Sequence, residues 1–468
     1  MWDLLIKNTR VIDPINHLDS HLDIAIENGK IAEIGVDLSG PSRQIEDFSG
    51  FVSVPGIIDM HTHLRTLWGS PHGQRMVALA GVTTAMDMAG PLNNILDTIP
   101  TSGAGINMAI LQQATAPFTF ETNRPSLSEQ KSMIDDSLNH GALGIKLLGG
   151  HYPMDLDICN QLITNAREKN AWIAWHAGNS THGSNILGAQ DAIEASQGAF
   201  LHLAHVNSYC RGQISNPIDE AKELIECLKA NPNIFSESYL SPNNGTRLTC
   251  ENNVPTTKVT CSCLNKMGFD ASEKGMADCL LAGKVGVVFD NGQTSELIYG
   301  QKAYDFWKQE KTVVSGCFAV NPLMSRMMML EAKRDDGSFV VDNISTDGGA
   351  LPRNVIVELG LAAVKLGAIS LSDFAIKTSV NPAKALRLET KGHFSIGADA
   401  DITVLDVQRQ KAEATIVAGG FIMKHGELMG RGTKILCTPH GEKYLKSRNI
   451  DYQILDLTKP WSRYIPTH

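Results

Sequence analysis

Apolar and polar residues alternate in short pieces at both ends of the chain. Residues 1–54 contain "DLLIKNTRVID", "LDIAIENGKIAEIG" and "IEDFSGFVSV", separated by Gly, Pro, Asn and Asp. The alternation returns near the carboxyl terminus in "GHFSIGADADITVLDV" and "AEATIVAGGFIMKHGELMG". A period of two residues between turn-forming residues predicts antiparallel strands. We therefore expect residues 1–54 and 391–468 to form one composite β-sandwich domain.

The pattern is different between residues 55 and 390, where short apolar or β-branched runs alternate with stretches of helical spacing. The runs include "GVTTAMDMAG", "GALGIKLLGG", "AWIAWHAG" and "AFLHLAHVNS", and helical stretches such as "LDICNQLITNAREKN" lie between them. Strand-then-helix repetition indicates parallel strands joined by right-handed crossovers. About seven or eight such units predict an α/β fold, a (β/α)8 TIM barrel over residues 55–390.

This segment is longer than the roughly 250 residues usual for such a barrel. Most of the excess lies at about 241–320, so we predict an insertion there, over the barrel mouth, where loops carry function. Cys261 and Cys263 of "TCSC" lie within it. No second Cys or His pair is close by in the sequence, so ordinary thiols are favoured over a metal site.

Composition argues against several classes of function. The chain has 468 residues, 43% of them hydrophobic, and a formal net charge of −9. An acidic chain without a Lys/Arg-rich run is a poor partner for nucleic acid or an anionic membrane. It has no basic-then-apolar leader and no run of eighteen apolar residues, and its nine cysteines are scattered. We therefore expect a reduced, cytoplasmic protein that binds neither nucleic acid nor membrane.

Ionisable residues end several of the apolar runs. His61 and His63 in "PGIIDMHTHLR" are two positions apart, so one strand directs both imidazoles to the same side. The carboxyl ends of barrel strands meet at one mouth. A single strand-end histidine is more often a satisfied polar residue than a ligand, but the coincidence of six groups favours a metal site. The other four are Lys146, His176, His205 and Asp347.

These motifs resemble the amidohydrolase superfamily over nearly the whole chain. "PGIIDMHTHL" is similar to its strand 1 signature, "GVTT" to its entry into strand 2, and "NPAKALRL…GHFSIGADADITVLD" to its return to the small β-sandwich. Within the superfamily, "HLR" and "NPLMSRMMMLEAKRDDGSFVVDNISTDGG" resemble the dihydroorotase, hydantoinase and D-aminoacylase branch.

The resemblance implies two divalent metal ions, zinc most commonly and manganese as a substitute. Their ligands would be His61, His63, Lys146, His176, His205 and Asp347. Lys146 would carry a carbamate derived from carbon dioxide, and Asp347 would move a proton from water to the leaving nitrogen. "HVNS" resembles the family's strand 6 ending, which selects His205 as the ligand. His202, three positions earlier, would face the other side of the strand in a supporting or structural role.

The chain also departs from its relatives. Dihydroorotases have a histidine where Gly348 stands and an asparagine where Gly90 stands, and they carry Pro-Gly soon after the arginine, where this chain has "RTLWGS". Hydantoinases place a tyrosine five residues after the lysine, where this chain has His151 followed by Tyr152. His151 and Tyr152 are the candidate oxyanion donors, and a structural Tyr-Pro turn is the alternative.

Four residues are candidates for binding an anionic substrate. Arg65 would clamp a carboxylate, with a rim salt bridge as the alternative. Arg353 in "GGALPRN" and the pair Asn243 and Arg247 in "SPNNGTR" are further anion contacts. All four favour a substrate that bears a carboxylate.

The expected function is hydrolysis of a C–N amide bond in a small carboxylate-bearing molecule, an N-acyl amino acid or a cyclic amide or ureide, by a metal-bridging hydroxide. One alternative is deamination of a heterocycle, against which Lys146 counts, because mononuclear deaminases usually lack that lysine. The other is a catalytically inactive scaffold, which would have lost metal ligands that this chain keeps. Barrels of this branch commonly pair, so we expect a homo-oligomer.

Overall fold

The structure is a computed structural model, and it describes residues 1–64 and 71–466. The predicted carboxylate clamp Arg65 lies outside the described residues. Within these two ranges, no helix has both the length and the apolar character that crossing a membrane requires.

Five strands open the chain. They are β1 (Trp2–Asp13), β2 (Leu18–Glu27), β3 (Lys30–Gly35), β4 (Ser42–Asp47) and β5 (Val52–Pro55). β1 pairs antiparallel with β2 and parallel with β4 and β5. Leu4, Leu5 and Ile6 of β1 are all buried, so this part of the strand is covered on both faces.

Strands and helices then alternate. The strands are β6 (Ile57–His63), β7 (Val82–Ala89), β8 (Asn107–Gln113), β9 (Gly144–Leu148), β10 (Trp172–His176), β11 (Leu201–Leu203) and β12 (Ile234–Tyr239). The helices are α1 (Gly73–Leu79), α2 (Leu92–Ser102), α3 (Leu127–Asn139), α4 (Leu156–Glu168), α5 (Ile186–Ala195) and α6 (Pro217–Ala230). Each strand pairs parallel with the next. All residues of β7 and β9 are buried, because a barrel strand is covered on both faces, which explains their continuous apolar runs.

After β12 the chain forms a separate lobe, residues 243–319. Its elements are β13 (Asn243–Arg247), β14 (Cys250–Glu251), β15 (Val254–Pro255), α7 (Lys258–Lys266), α8 (Glu273–Leu281), β16 (Val285–Asp290), β17 (Ser295–Ile298), α9 (Gly300–Gln309) and β18 (Ser315–Ala319). β13, β18, β16 and β17 form an antiparallel sheet in that order. Trp307 and Phe318 are fully buried in the lobe's own apolar core. The lobe occupies the region in which the sequence predicts an insertion.

The chain then returns to the barrel. The next elements are α10 (Leu323–Glu331), β19 (Asn343–Ser345), β20 (Gly348–Gly349), α11 (Ile356–Lys365), α12 (Leu371–Ala375), a π-helical turn (Ile376–Val380) and α13 (Asn381–Leu386). β19 pairs parallel with β12, and β20 pairs parallel with β6. Residues 343–349 therefore act as one eighth strand that closes the barrel, which confirms the predicted (β/α)8 fold.

The last elements are β21 (Ile402–Asp406), β22 (Lys411–Val417), β23 (Gly420–Lys424), β24 (Glu427–Leu428), β25 (Lys434–Cys437), α14 (Glu442–Ser447) and β26 (Tyr452–Ile454). β21 pairs antiparallel with β5, so strands from both chain ends share one nine-stranded sheet. Its two halves enclose a common core that includes Ile24 and Val404.

Two strands, β25 and β26, depart from the predicted composite domain of residues 1–54 and 391–468. β25 pairs parallel with β8 and with β26, so the chain from Lys434 extends the barrel sheet instead of the end sheet. Ile435, Leu436 and Cys437 are fully buried there. A short continuous apolar run gains more from a site covered on both faces than from the rim of a half-exposed sheet.

Candidate metal centre

Three ligand-type side chains converge where the barrel closes. β6 carries His61 and His63, and Asp347 lies between β19 and β20 with φ 49°, its N–H donating to the His61 carbonyl over 2.9 Å. Asp347 Oδ1 lies 3.0 Å from His63 Nε2 and 3.4 Å from His61 Nε2. One donor atom from each of the three residues lies within 4.8 Å of the others. The nitrogen and oxygen donors suit a divalent cation such as zinc.

A second pair of imidazoles lies beside this cluster. His176 ends β10, and His205 follows β11 with φ 35°. His205 Nε2 lies 3.2 Å from His176 Nδ1, and the ring of His205 stacks on that of His61 at 5.0 Å between centroids. The other ring nitrogens are bonded to serines, His176 Nε2 to Ser184 Oγ at 2.9 Å and His205 Nδ1 to Ser208 Oγ at 2.8 Å. Each ring therefore presents its remaining nitrogen to the centre.

Burial favours the neutral form of the imidazoles of His61, His176 and His205. Burial and the cationic side chain of Lys146 lower the pKa of His61 to about 4, although the neighbouring carboxylates oppose the shift. Burial and the neighbouring imidazole of His205 lower the pKa of His176 well below its ordinary value, and burial does the same for His205. A neutral imidazole is the form that binds a metal ion.

Lys146 reaches the same cavity from β9. It is 1% exposed, and its Nζ lies 3.3 Å from the thioether sulfur of Met88. Burial lowers the pKa of this amine to about 8. The amine is thus held next to four imidazoles, in a setting that favours its neutral form.

Glu237 on β12 is a central residue of the site that the sequence predictions omit. Its Oε1 lies 2.6 Å from His61 Nδ1 and accepts the backbone N–H of His205 at 2.6 Å, and its Oε2 accepts the hydroxyl of Ser345. Burial alone would raise the pKa of Glu237, but His61, His202 and His205 hold it well below its ordinary range. A glutamate in the fully buried strand "IFSESY" was the available signal, because a buried carboxylate needs partners.

Two further buried carboxylates, Asp59 and Asp87, are not among the residues that the sequence predicted. Asp59 accepts the backbone N–H of His61 and the hydroxyl of Thr346, at 3.1 and 2.6 Å, and so joins β6 to the closing strand. Asp87 accepts the backbone N–H of Leu64 at 2.7 Å. Burial raises the pKa of Asp59 to about 7 and that of Asp87 to about 6. Both groups brace the chain around the histidines of β6.

His202 lies apart from the cavity. Its Nδ1 accepts the indole N–H of Trp172 at 3.3 Å, and its Nε2 lies 3.8 Å from Glu237 Oε1. His205, in contrast, lines the cavity. The structure therefore places His205 in the cavity wall and His202 outside it.

Arg353 forms an ion pair with Asp347. Its Nη2 lies 2.7 Å from Asp347 Oδ2, its Nη1 donates to the main-chain carbonyl of Asn243 at 3.1 Å, and its guanidinium lies over the ring of Tyr239. Burial would raise the pKa of Asp347, but Arg353 and His61 hold it well below its ordinary value. The structure thus gives Arg353 a carboxylate partner within the protein. Asn243 supplies its backbone and is not part of the cavity lining.

The site opens into a cavity of about 720 Å³ whose wall is strongly cationic. Asp347 is the one acidic residue among the described residues of the lining. Six basic residues share that lining, namely Lys146, Arg211, Arg247, Lys258, Lys266 and Arg353. The surplus contrasts with the net charge of −9 for the whole chain. A wall of this kind attracts an anionic ligand.

His151 and Tyr152 lie on the rim of the cavity after β9. The ring of His151 lies 5.3 Å from that of His176, and Tyr152 packs edge-on against Phe118. Burial and the nearby His63 lower the pKa of His151 to about 4. Gly150 precedes them, and a Cβ there would lie 2.0 Å from His176 Nε2. The loop therefore passes so close to His176 that only glycine fits.

The two cysteines of the lobe are thiols on α7. Cys263 lines the cavity, and both are free. Across the described ranges, the grouping of three or more His, Cys, Asp or Glu side chains around one point is that of His61, His63 and Asp347. Among the described residues, Cys261 and Cys263 do not belong to that grouping.

Comparison with protein families places the chain. A model described as "Amidohydrolase family" matches residues 52–432. The dihydroorotase of Lactococcus lactis subsp. lactis (strain IL1403) is 25% identical over 418 residues, which cover 86% of this chain and 90% of that protein.

Two solved structures share the fold. An N-acyl-D-glutamate deacylase from Bordetella bronchiseptica, solved with zinc and a phosphonate mimic of the tetrahedral intermediate, gives a TM-score of 0.65 at 15% identity, covering 92% of this chain and 98% of the other. A D-aminoacylase, described as having a binuclear metal centre with one-metal activation and second-metal attenuation, gives 0.65 at 16% identity, covering 97% and 100%.

Proposed function

The chain belongs to the amidohydrolase family of hydrolases, which act on carbon–nitrogen bonds other than peptide bonds, and we propose that it hydrolyses an amide bond in a small carboxylate-bearing substrate. The substrate class is an N-acyl amino acid or a cyclic amide or ureide. One observation carries the proposal: His61, His63 and Asp347 converge within 4.8 Å at the end of a cationic cavity. The names of the similar proteins, dihydroorotase and D-aminoacylase, point to the same two substrate classes.

The residues present fit divalent metal ions. His61 Nδ1 is taken by Glu237, and the outer nitrogens of His176 and His205 are taken by serines, so each ring has one nitrogen left for a metal ion. We assign His61, His63 and Asp347 to one ion, His176 and His205 to a second, and Lys146 to both. Zinc suits these donors, and manganese is the substitute. When bound, such ions supply Lewis acidity, which polarises an amide carbonyl and lowers the pKa of water.

Lys146 would serve as a carbamate. Its neutral amine attacks the carbon of carbon dioxide, an N–C bond forms, one proton leaves to solvent, and the product carries one negative charge. A site rich in neutral histidines has few anionic donors, and this modification adds one beside Asp347. The burial of Lys146 against Met88 favours the neutral amine that the reaction needs.

Asp347 would move the proton. Its Oδ1 faces the histidines, where it takes a proton from the attacking water and later delivers it to the leaving nitrogen. Arg353 holds Oδ2 at 2.7 Å and so fixes the carboxylate plane. His151 and Tyr152, on the rim beside His176, would donate hydrogen bonds to the oxyanion that forms on the amide carbonyl.

The test combines metal analysis with a substrate screen. Purified protein should contain close to two divalent ions per chain. It should release a carboxylic acid and an amino acid from N-acyl D- or L-amino acids, or open the ring of cyclic ureides. Asp347→Asn keeps the shape of the side chain and should lower kcat by about 100- to 10,000-fold, the usual contribution of a general base. A folded protein that binds no metal, or one that hydrolyses neither class, would refute the proposal.

A further inference from the structure

Arg211 is a buried cation on the cavity wall that the sequence predictions omit. Its side chain is 9% exposed and it lines the cavity that holds the metal-ligand residues. Asn321 Oδ1 accepts its Nε–H at 2.7 Å. The hydroxyl of Tyr239 and Oδ1 of Asn244 accept from Nη2 at 2.9 and 2.8 Å. All three partners are neutral, so they orient the guanidinium without compensating its charge.

Two N–H donors of this guanidinium have no acceptor among the described residues. An arginine has five N–H donors, one on Nε and two on each Nη. The neutral partners take three of the five, and the two on Nη1 have no acceptor among the described residues. No Asp or Glu oxygen of the described chain lies within 4.0 Å of Arg211, in contrast to Arg353, which is paired with Asp347. Burying such a cation costs free energy, and an anion that binds to it offsets that cost.

Tyr239 sets the position of Arg211 relative to the reaction end. The ring of Tyr239 lies 6.2 Å from that of His205, centroid to centroid, and carries Arg353 on its face. Its hydroxyl, at the far end of the ring, is bonded to Arg211. Tyr239 therefore connects Arg211 to the end of the cavity that holds the metal-ligand residues.

We propose that the cavity takes a substrate with two carboxylates and that Arg211 binds the one farther from the scissile amide, an inference that rests on the proposed function. The substrate class is then an N-acyl or cyclic amide derivative of an acidic amino acid. The rest of the wall supports this assignment. Lys266 donates to the main-chain carbonyl of Arg211, and Lys258 lines the same cavity, so further cationic side chains lie near a second carboxylate.

The test is ligand binding without turnover. Titration calorimetry on the metal-containing enzyme compares glutarate with glutaramate, which replaces one carboxylate by a neutral amide of the same shape. We expect glutarate to bind about 10- to 100-fold more tightly, the usual range for a charge-assisted hydrogen bond. Arg211→Gln should remove that preference, and Arg211→Lys, which keeps the charge, should retain part of it.

Arg334→Gln is the matched control. Arg334 is half-buried and, like Arg211, donates to neutral groups, the carbonyls of Leu228 and Lys229, but it does not line the cavity. This variant should keep the full preference for glutarate. Equal binding of both ligands by the wild type, or a preference that survives Arg211→Gln, overturns the inference. Because no turnover is needed, dicarboxylate binding without hydrolysis of any amide would refute the proposed function and leave the role of Arg211 standing.

Discussion

At the scale of single residues, the site depends on a side chain that does not line the cavity. Glu237 fixes His61 from behind through Nδ1 and holds the backbone of His205, so it sets which nitrogen His61 presents to the centre. A carboxylate in this position orients the ring and raises its basicity.

We predict that Glu237→Gln lowers metal affinity by about 10- to 100-fold, the usual effect of losing such a partner. Competition of the purified variant with a chromogenic chelator measures the change. Glu413→Gln is the control, because Glu413 also bonds a histidine, His425, at 2.5 Å, but in the end sheet. Unchanged affinity in Glu237→Gln would show that the pair is only structural.

The carbamate gives a second prediction at this scale. Lys146→Ala should lose binuclear metal binding and activity, and short carboxylic acids such as acetate or propionate should restore part of both, because they supply the missing anionic donor. Metal content per chain and kcat, each with and without the acid, are the two measurements. His176→Ala is the control: its lost donor is an imidazole, so the acids should not restore it. No response of Lys146→Ala to any acid would argue against the carbamate.

The residues of the site that the sequence made predictable are those with a local signal. His61, His63 and His176 each end an apolar run, so position and residue type point to them. Glu237 and Arg211 have no such signal, because what makes them important is a partner far away in sequence. Glu237 meets His61 across 176 positions, and Arg211 meets Asn321 across 110.

At the scale of elements, the predictable strands were those buried on both faces, whose apolar runs are continuous. β25 was assigned to the wrong sheet because a short apolar run gives no information about its neighbours. The excess length of the chain predicted the lobe. Its four-stranded sheet could not be predicted, because the sheet pairs residues that are far apart in sequence, such as Asn244 and Phe318.

The closing strand explains one departure from the dihydroorotase pattern. Gly348 follows Asp347, and a Cβ there would lie 2.4 Å from Asn354 Oδ1 and 2.9 Å from Thr346 Oγ1. The histidine that dihydroorotases carry would not fit without displacing both side chains.

We predict that Gly348→Ala destabilises the protein by about 1–3 kcal/mol, the usual cost of overpacking, and lowers kcat by shifting Asp347. Thermal denaturation and steady-state kinetics measure the two effects. Gly420→Ala, where a Cβ would meet Val417 O at an ordinary 3.5 Å, should change neither. Wild-type behaviour of Gly348→Ala would mean that Asn354 moves aside freely.

At the scale of the whole molecule, charge is distributed unevenly. The chain carries a formal charge of −9, yet four lysines and arginines line its cavity besides Lys146 and the paired Arg353, and among the described residues of the lining Asp347 is the one acidic residue. An anionic substrate is therefore repelled at long range and attracted at the mouth.

The dependence of KM on ionic strength tests this charge distribution. We predict that KM for a carboxylate-bearing substrate rises when ionic strength increases from about 0.05 to about 0.5 M, because salt screens the exposed cations of the rim. A neutral ester or amide of the same substrate is the control, and its KM should stay constant. Equal salt responses of the two substrates would place the effect outside the cavity.

Metal removal should affect the whole fold, because the ligands come from distant parts of the chain. A ligand present at 1,000 times its dissociation constant stabilises the native state by about 4 kcal/mol, so a chelator should lower the melting temperature, and zinc or manganese should restore it. The double variant His61→Ala/His63→Ala should melt at the same temperature with and without chelator. A wild-type melting temperature that does not change when chelator is added would contradict the proposed site.

The closing strand has a consequence for biosynthesis. His63 and Asp347 are 284 positions apart, so a nascent chain displays its first histidines long before the carboxylate that completes their set has been made. Along the seam they span, Gly348 pairs with Thr62 and Gly349 with His63, and the N–H of Asp347 donates to the His61 carbonyl. An ion bound by His61, His63 and Asp347 would act as a clasp across that seam. The supply of metal in the cell would then govern how stable the closed barrel of each newly made chain is.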